Sequence, residues 1–116
     1  MYKEQKECIT LCWEARTRCL ETLTQHCLKK GGMHVDENHV KIMLDCIDIC
    51  QAAADFMERG STMHKTICAA CAEICDACAR SCEEMAGDER MLECAKACRR
   101  CADLCRNEGR KLSKVA

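Results

Sequence analysis

Cys68, Cys71, Cys75, Cys78 and Cys82 recur at steps of three, four, three and four residues. That is the a/d rhythm of a coiled-coil seam, with thiols where leucines would normally stand. At about 100° per residue the five Cβ atoms fall within an arc of roughly 80°, so a single helix presents a column of sulfur. Cys94, Cys98, Cys101 and Cys105 repeat the seam, with Met91 one turn earlier. Cys8, Cys12 and Cys19 share a stripe with Ala15 and His26, and Cys46 and Cys50 share a face with His39, Met43, Ala53 and Met57. Cys27 falls nearly a quarter turn off its stripe.

Six CxxxC pairs occur: 8/12, 46/50, 71/75, 78/82, 94/98 and 101/105. Residues four apart on a helix have Cβ atoms roughly 5 to 6 Å apart and lean the same way. Two thiolates holding an ion linearly need sulfurs about 4 to 5 Å apart, taking roughly 2.3 Å per bond by analogy with zinc. A CxxxC pair therefore grips a two-coordinate ion without bending its helix, and thiolate softness selects Cu(I) first. Charge points the same way. If every thiolate bridges two Cu(I) ions and every ion takes two sulfurs, the column is close to neutral, whereas unshared zinc sites of four thiolates each carry about two negative charges into the core. Three other readings compete: inert core thiols, disulfide or iron–sulfur redox chemistry, and zinc or cadmium sequestration. Against the first, Leu and Ala would pack at least as well. Against the second, the CxxC pairs lie mid-helix and the x2, x3, x2, x3 run is not a ferredoxin spacing.

The elements that must position these thiols can be read from composition. Leu, Ile, Val and Phe together number 18 of 116 residues, against 15 Cys and 7 Met. Reduced Cys buries readily as a small apolar residue, so the core is largely sulfur. There is no Pro, and Gly stands only at 31, 32, 60, 87 and 109, which suits long helices punctuated by short turns. The first helix is expected from about Lys3 to Leu28, before Lys29-Lys30-Gly31-Gly32. Asp36 is the expected N-cap of the second, to about Glu58; Ser61 of the third, to about Met85; and Asp88 of the fourth, to about Lys111. Such short connections make consecutive helices antiparallel. The expected fold is all-α, one domain over 1–116, an up-down-up-down four-helix bundle with a Cys-lined core. A weaker stripe, Ile9, Trp13 and Leu20, is expected to close the bundle against a neighbouring helix rather than face another protomer. The net charge of −1 leaves no footprint for nucleic acid or an anionic membrane. No apolar run reads as a signal or a transmembrane span, and many cysteines in an odd total fit a cytosolic, metal-binding chain.

A short Cys-rich four-helix bundle with CxxxC pairs lining its interior resembles the bacterial copper storage proteins, a family long known as a Cys-rich four-helix domain of unknown function. The resemblance covers nearly the whole chain. It implies a bundle that stores many Cu(I) ions along its axis, often as a homo-tetramer; no nucleophile is matched with a base, so no enzyme is expected, and a copper chaperone or a small thiol is the expected exchange partner. Cys19, Cys27 and Cys68 depart from the pattern in lacking a CxxxC partner. The expected ligands are all fifteen thiols: Cys8, Cys12, Cys19, Cys27, Cys46, Cys50, Cys68, Cys71, Cys75, Cys78, Cys82, Cys94, Cys98, Cys101 and Cys105. At one pole His39, Met43 and Met91, with His26 next, are expected to line a copper entrance, because imidazole and thioether hold copper more weakly than paired thiolates. At the opposite pole His64, four residues before Cys68, is the expected ligand or cap.

Overall fold

The computed structural model describes residues 3–111. The reading of 1–116 as one domain extends to residues 1–2 and 112–116, which lie outside the described residues. The first helix, α1 (Lys3–Thr22), passes through a π-helical turn (Leu23–Cys27) into a last α turn (Leu28–Lys30). A 3-10 turn (Gly32–Val35) leads to α2 (Glu37–Glu58), followed by α3 (His64–Glu83) and α4 (Glu89–Arg110). Each helix packs on its sequence neighbours, and α1 also packs on α4. This is the closed up-down-up-down ring, 53 Å long and about 20 Å across.

Local chemistry sets the ends. Gly31, at φ +70°, turns the chain out of the first helix in a conformation that a side chain would oppose. The Asp36 carboxylate accepts from the Asn38 amide, and that of Asp88 from the Met91 amide, so both expected caps are present. Ser61 is different. Its hydroxyl accepts from the Met63 amide and its carbonyl from the His64 amide, so it builds the turn before α3, which starts two residues later than a Ser61 cap would require. The helix ends at Glu83, and Met85 lies beyond it with its side chain buried at the end of the core.

All fifteen cysteines are free and buried. Small residues such as Ala15, Ala53, Ala79 and Ala102 lie among them, letting the helices approach closely. Ile9, Trp13 and Leu20 pack half-buried against this core, and the Trp13 indole donates to Glu58 at the end of α2 at 2.9 Å. That stripe closes α1 on α2, as expected. Outside the core, Arg99 reaches from α4 to Asp76 and Glu83 on α3. Among the described residues no helix is long and apolar enough to cross a membrane.

Candidate metal centre

The thiols form a continuous ladder along the axis. At the pole of the chain termini, Cys8 lies 3.6 Å from Cys105, which is 3.5 Å from Cys12 and 3.9 Å from Cys101. Cys68, which has no CxxxC partner, is lowered by its hydrogen bond with Cys105, but hydrogen bonding to Cys8 and burial outweigh that and push it above the ordinary thiol range. In the next rungs Cys50 is 3.4 Å from Cys75 and 3.9 Å from Cys101, and Cys71 is 3.7 Å from Cys75. Cys46 continues the chain to Cys75 at 3.7 Å and to Cys19 at 3.8 Å. Cys19 meets Cys98 at 3.4 Å, Cys94 at 3.6 Å and Cys78 at 4.0 Å. Lacking a partner on its own helix, Cys19 thus finds four across the bundle.

Three foursomes bring every sulfur within 4.8 Å of the others: Cys12, Cys71, Cys101 and Cys105; Cys50, Cys71, Cys75 and Cys101; and Cys19, Cys46, Cys78 and Cys98. The first two share Cys71 and Cys101, so sulfur-sharing is built into the packing. Hydrogen bonds among neighbours split the thiols. Those to Cys46 or Cys101 are the largest cause pushing Cys19, Cys50 and Cys75 well above the ordinary range, with burial adding. Those from Cys19 or Cys101 are the largest cause holding Cys46, Cys71 and Cys98 below it. A thiol that donates keeps its proton, and the sulfur that accepts is the easier one to ionise.

Above Cys78 and Cys82 the ladder changes donor type. The Met43 sulfur lies 3.6 Å from both, so Met43 belongs to the column rather than to an open mouth. Cys27 comes next, buried, 3.7 Å from the Met91 sulfur and 3.7 Å from His39 Nε2. A cation bonded at about 2.3 Å to sulfur and about 2.0 Å to nitrogen, at trigonal angles, holds those two atoms about 3.7 Å apart. Burial pushes the Cys27 thiol up to about 11. His39 is turned by a 2.7 Å hydrogen bond between Nδ1 and the Ser81 hydroxyl, and burial lowers its basicity. With Nδ1–H donating to Ser81, Nε2 keeps a lone pair toward Cys27.

The π turn explains why Cys27 reaches the column and His26 does not. A π turn inserts about one extra residue and sets the later residues of the helix back by up to about 100°. That rotation carries Cys27 onto the Cys19 stripe and carries His26 off it. His26 Nε2 instead meets the Asp88 carboxylate at 2.8 Å, where His34 Nε2 arrives on the same oxygen at 2.7 Å. Burial works against that carboxylate, but hydrogen bonds from both imidazoles and from the Met91 amide hold it well below the usual range. His64 lies apart from the thiols too: Nδ1 donates to the Ser61 carbonyl at 3.1 Å, and Nε2 sits 3.8 Å from the buried Glu108 carboxylate. Sequence reasoning missed Ser81 and Glu108, and placed Asp88 only as a cap. A hydroxyl one residue before Cys82 was the one available signal for Ser81.

The family model for copper storage proteins matches residues 1–109. The chain belongs to the copper storage protein family. The chain is 39% identical over 101 residues to the uncharacterized cysteine-rich protein YhjQ of Bacillus subtilis (strain 168), covering 87% of this chain and 85% of that one. The crystal structure of the Nmul_A1745 protein from Nitrosospira multiformis is 41% identical with a TM-score of 0.89, covering 94% of this chain and 97% of that one. The Cu(I)-bound copper storage protein BsCsp3 is 33% identical with a TM-score of 0.84, covering 92% and 99%. The resemblance read from the CxxxC pairs therefore holds, and so does the helical bundle with a sulfur core.

Proposed function

We propose that this chain stores Cu(I) in the cytosol, holding many ions per bundle on the fifteen core thiolates, with His39, Met43 and Met91 completing the column beside Cys27 at one end. One domain over 1–116, a homo-oligomer, and a copper chaperone or small thiol as exchange partner belong to the same reading, and so does a role in storage rather than catalysis. The continuous sulfur ladder supports it above all. Sulfurs 3.4 to 4.0 Å apart match three-coordinate sharing, at about 4.0 Å, and reach linear two-coordinate spacing, about 4.6 Å, by small side-chain rotations. Each Cu(I) replaces one thiol proton, so the dry column loads without gathering charge.

Sequestration of zinc or cadmium is the second reading, because the cysteine foursomes also fit a tetrahedral ion. Shared sulfurs limit that reading to two independent closed sites, each about two charges negative. Anaerobic titration of the reduced protein with Cu(I), against a competing chelator, separates the two. Storage requires binding to about 12 to 16 ions per chain without iron–sulfur absorbance. Saturation at four ions or fewer refutes storage in favour of closed zinc-like sites.

A further inference from the structure

The axial end of the ladder is closed. His26 from the end of the first helix, His34 from the 3-10 turn and Asp88 from the start of α4 are tied together above it, and Met91 and Cys27 beneath are fully buried. Beside this closure, between α2 and α3, lies a cavity of about 710 Å³ lined by Met33, Asp36, His39, Ser81, Glu84 and Met85, among others. His39 is the wall between the cavity and the sulfur: its Nδ1 edge bonds Ser81 on the cavity side, while Nε2 touches Cys27. Soft donors line this path in order of decreasing exposure. Met33 is 61% exposed, Met85 6%, His39 3% and Cys27 0%.

We infer that Cu(I) enters sideways through this cavity, passing from Met33 to Met85 to His39 and then to Cys27, and not along the bundle axis; this route rests on the storage reading. Thioethers and imidazole hold Cu(I) more weakly than thiolates, so the last transfer, onto Cys27, leads to tighter binding and draws the ion inward. The carboxylates of Asp36 and Glu84 raise the local concentration of a cation arriving from its carrier. Copper stays in the +1 state throughout. Its carrier ligand leaves at the cavity, and each core thiol that takes the ion releases its proton to solvent. A swing of the His39 ring away from Ser81 uncovers Cys27 without parting any helices.

The test is stopped-flow transfer of Cu(I) from a weak aromatic diimine chelator to the reduced full chain, with total capacity read separately at equilibrium. The double variant Met33→Leu/Met85→Leu keeps side-chain volume but removes both thioethers. It should slow uptake about tenfold, about 1.4 kcal/mol on the barrier, at unchanged capacity. Ala77→Phe, which fills the cavity from α3, should slow it as well. Asp88→Asn, which loosens the axial closure, should leave the rate within about twofold of the parent, less than about 0.5 kcal/mol on the barrier. Parent rates in both cavity variants at full capacity, or acceleration confined to Asp88→Asn, would overturn the lateral route alone. A parent that takes up four ions or fewer would overturn storage and the route with it.

Discussion

Asp88 joins three segments distant in sequence, and removing its side chain probes how that pole is held. One carboxylate oxygen caps α4 through the Met91 amide, and the other accepts from both His26 and His34. Loss of an N-cap costs about 1 kcal/mol. The two imidazole contacts are part-exposed, so each is discounted from the value of a buried charged hydrogen bond to about 0.5 to 1 kcal/mol. The Asp88→Ala variant should therefore lose about 2 to 3 kcal/mol, lowering the melting temperature of the metal-free protein by about 10 °C in a chain of this size. Asp88→Asn keeps an acceptor for the cap and should recover about 1 kcal/mol of the loss.

Far-UV circular dichroism melts of reduced, metal-free samples measure this directly, and pH adds a second check. The folded carboxylate titrates below its unfolded value, so its contribution is complete above the ordinary Asp range and is lost as pH falls through the depressed folded value. The gap between parent and Asp88→Ala should be constant from pH 7 to about 5 and narrow below about 4. Identical melts for parent and Asp88→Ala at neutral pH would refute the reasoning, and so would a gap that widens in acid.

The packing implies three further outcomes. The reduced metal-free protein should already be mostly helical, because protonated thiols pack as small hydrophobes, and loading should raise its melting temperature and release protons; a coil spectrum would contradict this. Gly109→Ala should destabilise by about 1 to 3 kcal/mol despite better helix propensity, since the added Cβ would sit 3.0 Å from Ala69 on α3; a stabilised variant in chemical denaturation would show that the contact yields. Because the Cys27 thiol is pushed up to about 11, the unfolded chain gives up that proton first as pH rises past 9. Its contribution is full below 9 and gone above 11, so over that interval the parent should lose about 2 kcal/mol more than Cys27→Ala in alkaline melts, beyond what the other raised thiols cost both proteins.

The sulfur column was legible because a strict three-and-four step admits one helical phase. The bundle could be inferred from short connections and two real caps. Departures from a regular helix and contacts between distant segments were hidden. The phase of the first helix is carried forward correctly to Cys19 and fails at Cys27 and His26, because a uniform 100° step cannot register an inserted residue. His34 and Asp88 are 54 positions apart, and no local pattern pairs them. Met43 fell on the expected face, yet its long thioether reaches Cys78 and Cys82, so depth along the axis was misread where direction was right.

Leucine would pack such a core at least as well, so the use of sulfur bears on how the bundle can work. In the metal-free state most of the sulfurs are donor or acceptor to a neighbour, so the buried column is largely satisfied by its own hydrogen bonds. On the storage reading each Cu(I) that enters removes one proton and supplies two or three sulfur bonds where a weak thiol contact stood. Net charge in the core is the same before and after, and sulfurs already about 4 Å apart move little. A fold whose interior changes its chemistry at constant charge and nearly constant volume needs no unfolding to fill or empty. On the proposed route the helices serve as a fixed frame, and side-chain rotations at His39 and the thiols admit the ion.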